Sequence, residues 1–287
     1  MEHEPTHLVT KSNKLVEANY RLSVAEQRII AVMASKVAPT DEDFKLYEFK
    51  ISDLGELLGS DRKDLYERVK ELTRGLMKRV MQINEADGPL QVAWLSAAKY
   101  QRGRGIVKLE FSPQLKPYLL QLKERFTTYQ LRNVVSLRSC HSVRLYELLK
   151  QYAAVKTRTF TAEDLRAALG LEKDSYKTWK DFRLRVLEHA NRELKAKTDI
   201  SFTYTVKKGA HGRVQEITFN IVEGRGGLSK KDLAGLRRKV MACWSQSHGA
   251  CAAKWANHNE PHNDCHWCKK FDHQRAELAG QTVLPGV

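Results

Sequence analysis

Residues 49–59 read FKISDLGELLG, and 111 positions later the chain reads FTAEDLRAALG, with Phe, Asp, Leu, Leu and Gly in register. Five matches in eleven positions are within reach of chance for two short helices, so the flanks decide. After the first copy come a basic helical stretch, DRKDLYERVKELTRGLMKR, strand-like VMQI, and a β pair running LQVAWLSAAKY, QRGRG, IVKLEF. After the second come WKDFRLRVLEHANRELKAK, ISFTYTV, the turn KKGAHG, and RVQEITFNIV. Upstream, LSVAEQRIIAVMASKV corresponds to SVRLYELLKQYAAV. The unit is helix, short strand, helix, helix, strand, turn, strand, written twice. A period of about 110 residues suits two domains of ordinary size rather than a solenoid, whose repeats run about 20 to 50 residues. The expected fold class is α+β.

In the first unit Leu65, Val69, Leu72 and Leu76 make one apolar stripe at helical spacing. Opposite stand Lys63, Lys70, Arg74 and Lys78, with Glu67 and Glu71. In the second unit Phe182, Val186, Ala190 and Leu194 form the stripe, and Asp181, Leu184, Arg185, Glu188, Arg192 and Lys195 lie opposite. Residues 61–79 hold seven basic and four acidic residues, and residues 177–197 hold seven and three, so each helix presents a basic face. A helix of this kind fits the major groove of duplex DNA, while a preceding helix laid across the backbone fixes its approach. The repeated FKISDLGELLG and FTAEDLRAALG supply that preceding helix, with Ser52 and Thr161 expected as N-caps and Gly59 and Gly170 as stops. The turns QRGRG and KKGAHGR set Arg102, Arg104, Lys207, Lys208 and Arg213 at the tip of a β pair, where glycines permit positive φ and close approach to phosphate. The whole is a winged helix, and there are two.

The bulk charge agrees. A formal net charge of +15 and a pI near 9.6 favour a polyanionic partner through counterion release, and the excess sits in particular helices and turns. No run of 18 apolar residues exists, and the opening MEHEPTHLVTKSNK lacks a signal-peptide core. The expectation is a cytoplasmic protein with no membrane partner. Five cysteines, an odd number, argue against a disulfide framework.

The opening VTKSNKLVEANYRLSVAEQRIIAVMASKV resembles the start of the iteron-binding plasmid replication initiators (Rep proteins). SVRLYELLKQY, YKTWKDFRLRVLEHANREL and TDISFTY resemble their second winged helix. The resemblance covers about residues 8–222. It implies two tandem winged-helix domains, residues 8–122 for dimerisation and DNA contact and residues 130–223 for the main DNA reading. It also implies an initiator of theta-type plasmid replication. Monomers grip directly repeated origin sequences, the iterons; dimers bind an operator inverted repeat and repress the gene; the host replication initiator and replicative helicase are recruited. On this reading the DNA-binding residues are Lys63, Lys70, Arg74, Lys78, Arg102 and Arg104 from the first domain. From the second they are Lys177, Lys180, Asp181, Arg183, Arg185, Arg192, Lys195, Lys207, Lys208 and Arg213. Asp181 and Arg185 match positions from which such proteins reach base edges. Leu184 departs from the basic residue common there, which speaks against guanine readout from that position and leaves a structural accident and contact with a thymine methyl both open. The second wing is looser than the family's pattern, so the wing is assigned phosphate contact and not base readout. Helix Ser23 to Lys36 carries Ile29, Ile30, Val32 and Met33, more apolar positions than one stripe needs, which leaves internal packing and a dimer surface both open.

No arrangement for catalysis stands out, and no cofactor is required. A nicking initiator would need a His-x-His metal pair, and no two histidines stand at that spacing. GRGGLSKK, beginning at Gly224, lacks phosphate-loop spacing and reads as a linker. His141 and His189 sit beside apolar residues on helices and read as structural. The remaining rival is a winged-helix transcriptional regulator with no initiation role, which needs the same duplex binding. The family likeness stops before residues 228–287, a basic helix and a Cys/His-rich tail. Residues 243–273 hold four of the five cysteines and five of the ten histidines. Cys265 and Cys268 have the spacing of a zinc knuckle, and Cys251 and His262 would complete a structural zinc site. Accidental clustering in a basic tail is the competing account.

Overall fold

The computed structural model describes residues 8–224 other than 39, 59–63, 102, 123–124, 173 and 210–211. The chain enters through strand β1 (Leu8–Ser12) and turns into helix α1 (Asn13–Glu17), where the Ser12 hydroxyl accepts from the Leu15 amide. Helix α2 (Val24–Ser35) starts at a full capping box: Ser23 accepts from the Glu26 amide, and the Glu26 carboxylate accepts from the Ser23 amide at 2.8 Å. Ile29, Ile30, Val32 and Met33 are all buried within this unit. Internal packing therefore uses every surplus apolar position on α2, and these four residues are not a partner surface.

Strand β2 (Tyr47–Lys50) runs directly into helix α3 (Ile51–Leu58). Ser52, expected as the N-cap, is instead the second residue of the helix, and its hydroxyl bonds the Asp53 carboxylate at 3.1 Å. The first amide of the helix, that of Ile51, donates to the carbonyl of Gly105 at 2.8 Å. Helix α4 covers Leu65–Lys78. Strands β3 (Val80–Glu85) and β4 (Gly88–Ala93) form a separate hairpin, and β5 (Leu95–Gln101) and β6 (Ile106–Phe111) complete a three-stranded sheet in the order β2-β6-β5. LQVAWLSAAKY, expected as one strand, is thus two. Trp94 divides them: it is fully buried, its ring stands edge-on to Tyr20 at 5.1 Å, and its carbonyl accepts from the Ser112 amide at 3.0 Å. A short helix, α5 (Lys116–Leu119), closes this half.

The second half begins with strand β7 (Phe126–Gln130), helix α6 (Leu131–Ser136) and helix α7 (Cys140–Lys150). Strand β8 (Thr157–Thr161) and helix α8 (Ala162–Ala168) follow, and Thr161 caps α8 as expected, accepting from the Asp164 amide at 3.0 Å. A long helical stretch comes next: α9 (Trp179–Phe182), a π segment (Arg183–Glu188) and α10 (His189–Lys197). Strands β9 (Ile200–Lys208) and β10 (Val214–Glu223) make the sheet β8-β10-β9, the same order as in the first half.

The repeat extends further upstream than its sequence signal. Strand β1 leads into α1 and α2 as β7 leads into α6 and α7, and the two leading strands pair antiparallel with Thr10 opposite Thr128. Behind that ribbon lies a buried polar knot. Arg144 of α7 donates to the carbonyls of Val16, Ala18 and Ala168 at 2.9 to 3.1 Å and stacks 3.9 Å over the Tyr20 ring. Glu147, one turn on, accepts from Lys11 at 2.7 Å, from Arg144 and Tyr20 at 3.2 Å, and from Tyr129. Lys11, Tyr20 and Arg144 thereby tie the two halves together, and the buried charges are paired and hydrogen-bonded, which is the condition for such charges to be tolerated.

Candidate nucleic-acid interface

In the first half, α4 packs through Leu65, Val69, Thr73 and Leu76. Gly75 lets the helix come close to α2, since a Cβ there would sit 2.6 Å from the Glu26 carboxylate that receives Arg79 Nε at 2.8 Å. Lys70, Arg74 and Lys78 occupy the outward face, Lys70 lying 3.4 Å from Glu67. Arg104 sits in the β5–β6 turn, whose Gly103 and Gly105 have φ of 75° and 63°. Open space surrounds both glycines, so the tip is free to approach a phosphate. Lys63 and Arg102 lie outside the described residues.

The second half carries the more developed surface. Its helix begins at Trp179 rather than at Lys177, because Thr178 is the N-cap: it accepts from the Asp181 amide at 3.1 Å and donates to the Asp181 carboxylate at 2.7 Å. Lys177 precedes the helix, 3.4 Å from Asp174. Tyr176, just before it, has φ of 51°, a left-handed conformation uncommon outside glycine, and its carbonyl accepts from Arg166 at 3.3 Å. Phe182, Val186, Leu187, Ala190 and Leu194 face the core. Lys180, Arg183, Leu184, Arg185, Arg192 and Lys195 are exposed.

The three acids of this helix are held, and that fixes the sign of its surface. Asp181 is engaged with Thr178 and lies 3.8 Å from Arg185. Glu188 accepts from the Tyr204 hydroxyl at 2.7 Å, and burial together with that carboxylate pushes the Tyr204 hydroxyl pKa up. Glu193 is turned inward, accepting from the amides of Arg138 and Ser139 at 3.1 and 3.2 Å and from Lys197 at 2.8 Å. The cations are left outward. In the adjoining wing Lys208 and Arg213 are exposed, Lys207 lies 3.3 Å from Glu216, and Gly212 has φ of 70°.

A cleft of about 710 Å³ joins the base of this helix to the first half, with Arg21, Arg79, His141, Lys177, Asp181 and Arg185 in its walls. Arg21 and Arg79 escaped the sequence reading: Arg21 belongs to no periodic face, and Arg79 ends its helix. They are paired to Glu172 and Glu26. Burial, with the charges of Arg21 and His189, holds the His141 pKa below its ordinary value, so this ring adds no charge near neutral pH. His141 reads as structural, its ring edge-on to Tyr176 at 5.9 Å. Among the described residues no cluster of His, Cys, Asp and Glu could hold a metal, and no helix is long and apolar enough to cross a membrane. Cys251, His262, Cys265 and Cys268 lie outside the described residues.

The family model described as initiator replication protein, WH1, matches residues 8–150, and that described as initiator Rep protein, WH2, matches residues 161–221. The chain belongs to the initiator replication protein family. It is a sequence-specific DNA-binding replication initiator with two winged-helix domains. Among relatives, an "Uncharacterized 27.6 kDa protein" of Escherichia coli is 26% identical over 212 residues, 69% of this chain and 89% of the relative. The PI protein of Escherichia coli is 29% identical over 147 residues, 46% of this chain and 47% of that protein. The crystal structure of Pi initiator protein in complex with iteron DNA shares the fold, with a TM-score of 0.62 over 77% of this chain and 99% of that one at 20% identity.

Proposed function

We propose that this initiator binds directly repeated sequences at a plasmid origin and starts replication there. The α9–α10 helix enters a major groove and reads bases through Asp181 and Arg185. The wing at Lys207, Lys208 and Arg213 grips phosphate, and α4 with the turn at Arg104 holds the backbone at the other end of each repeat. One observation carries the reading: the two basic helices and their wings belong to a single unit, pinned across the halves by Arg144 and Glu147, so both can engage one duplex at a fixed spacing. The Pi initiator solved with iteron DNA supports it, since that protein has the same fold. As a dimer formed through the first domain, the protein represses its own gene at an inverted repeat. As a monomer in the cytoplasm it recruits the host initiator and replicative helicase to the opened origin.

The deciding experiment supplies the gene in trans to a replicon carrying only the repeats beside its coding region. Maintenance of the replicon is expected. Repression of the neighbouring promoter with no maintenance would make the protein a regulator instead.

A further inference from the structure

Leu184 lies where nothing inside the molecule requires it. The packing demand of its helix is met by Phe182, Val186, Leu187, Ala190 and Leu194, each no more than 2% exposed. Leu184 is 45% exposed, between exposed Arg183 and Arg185 and one turn from exposed Lys180. None of the other exposed large apolar side chains among the described residues belongs to this helix, so Leu184 is a single apolar group in a cationic field rather than part of an apolar patch. A protein partner docking by burial would need such a patch.

The backbone explains how it comes to be there. Residues 183–188 run as a π segment, whose i to i+5 bonding widens the turn. Val186 and Leu187 both point inward, and Arg183, Leu184 and Arg185 are presented outward as a consecutive trio. Single-turn π insertions of this kind cluster at functional sites. In the major groove, the distinctive apolar feature on a base edge is the C5-methyl of thymine, and an aliphatic side chain pays no desolvation penalty against it.

Resting on the DNA-reading assignment of α9–α10, we infer that Leu184 is a specificity residue that packs on a thymine methyl, in the same groove where Arg185 meets a base edge. It discriminates by contact with the methyl rather than by hydrogen bonding.

The test uses the full chain and its own origin repeat, with each thymine replaced singly by deoxyuridine, which removes only the methyl. Affinity is measured for the unaltered protein, Leu184→Ala and Arg185→Ala. At one position the deoxyuridine exchange should weaken the unaltered protein about three- to tenfold and leave Leu184→Ala unaffected. If Arg185→Ala relaxes base preference but both Leu184 forms respond alike at every thymine, this inference fails while the reading helix stands. If Arg185→Ala leaves preference intact and the Leu184 forms respond alike at every thymine, the reading helix itself is wrong and the inference falls with it.

Discussion

Lys11 and Glu147 form an ion pair at 2.7 Å with both side chains buried, one from the first strand of the described chain and the other from the central helix of the second half. Burial alone would raise the Glu147 pKa. The charges of Lys11 and Arg144, with hydrogen bonds from Lys11 and Tyr129, outweigh it and hold the carboxyl at about 2. The junction between the two winged helices is therefore electrostatic at its centre, and conditional on every partner being present.

Glu147→Gln should destabilise the protein by about 3 to 5 kcal/mol, because it leaves Lys11 and Arg144 buried without their counter-charge. Urea denaturation at pH 7 measures the loss. A change below about 1 kcal/mol would mean that the knot relaxes or admits water.

The same carboxylate sets an acid limit. Its pKa falls from an ordinary 4.5 to about 2 on folding, so its stabilisation is complete above pH 4.5 and is lost as the pH falls through about 2. Urea midpoints measured from pH 6 down to 2 should decline over that window, and Glu147→Gln should lack this part of the decline.

Gly170 ends α8 with φ of 67°, while the Leu171 amide donates to the Arg166 carbonyl at 3.0 Å and the Gly170 amide to Ala167 at 2.9 Å. A Cβ at this position would collide with the carbonyl of Tyr20 in the other half. Gly170→Ala should thus cost more than the roughly 1 to 2 kcal/mol of left-handed backbone alone. Gly212→Ala, with φ of 70° and open space around it, isolates the backbone cost. Thermal melts of the two variants should differ, Gly170→Ala melting lower.

Arg185→Ala should lose about 1 to 3 kcal/mol on the specific repeat and relax preference at one base position, whereas Lys208→Ala should weaken all sequences alike. Equal losses on specific and random duplexes for Arg185→Ala would remove it from base readout.

For the first domain, the salt dependence of binding is the measure. With both helices and both wings on phosphate, the log-log slope should be about −6 or steeper. Neutralising Lys70, Arg74 and Lys78 together should make it shallower by up to about 3, at roughly 0.9 per lost contact. An unchanged slope would leave that domain off the DNA. Charge removal is cleaner than isolating residues 130–223, which would strip Lys11 and Tyr129 from Glu147 and remove β1 together with nearly all of β7.

Local pattern determined much of this protein. The register of Phe49 with Phe160 and Leu54 with Leu165, the stripes on the two basic helices and the glycines of the wings were enough to read two winged helices, because side-chain periodicity and turn chemistry act over a few residues. What depended on distant partners was decided by the tertiary structure alone. Ser52 is not a cap because the helix already begins at Ile51, whose amide is held by a carbonyl far along the chain, that of Gly105. Trp94 splits one apparent strand because burial against Tyr20 outweighs strand continuity. The β1–β7 ribbon and the Arg144–Glu147 knot have no periodic signature, being made of two short strands and of single polar side chains and backbone carbonyls scattered from Lys11 to Ala168. Even the sign of the reading surface needed the fold: the sequence counts Glu188 and Glu193 against the cations, and only packing turns one to Tyr204 and the other to the start of α7.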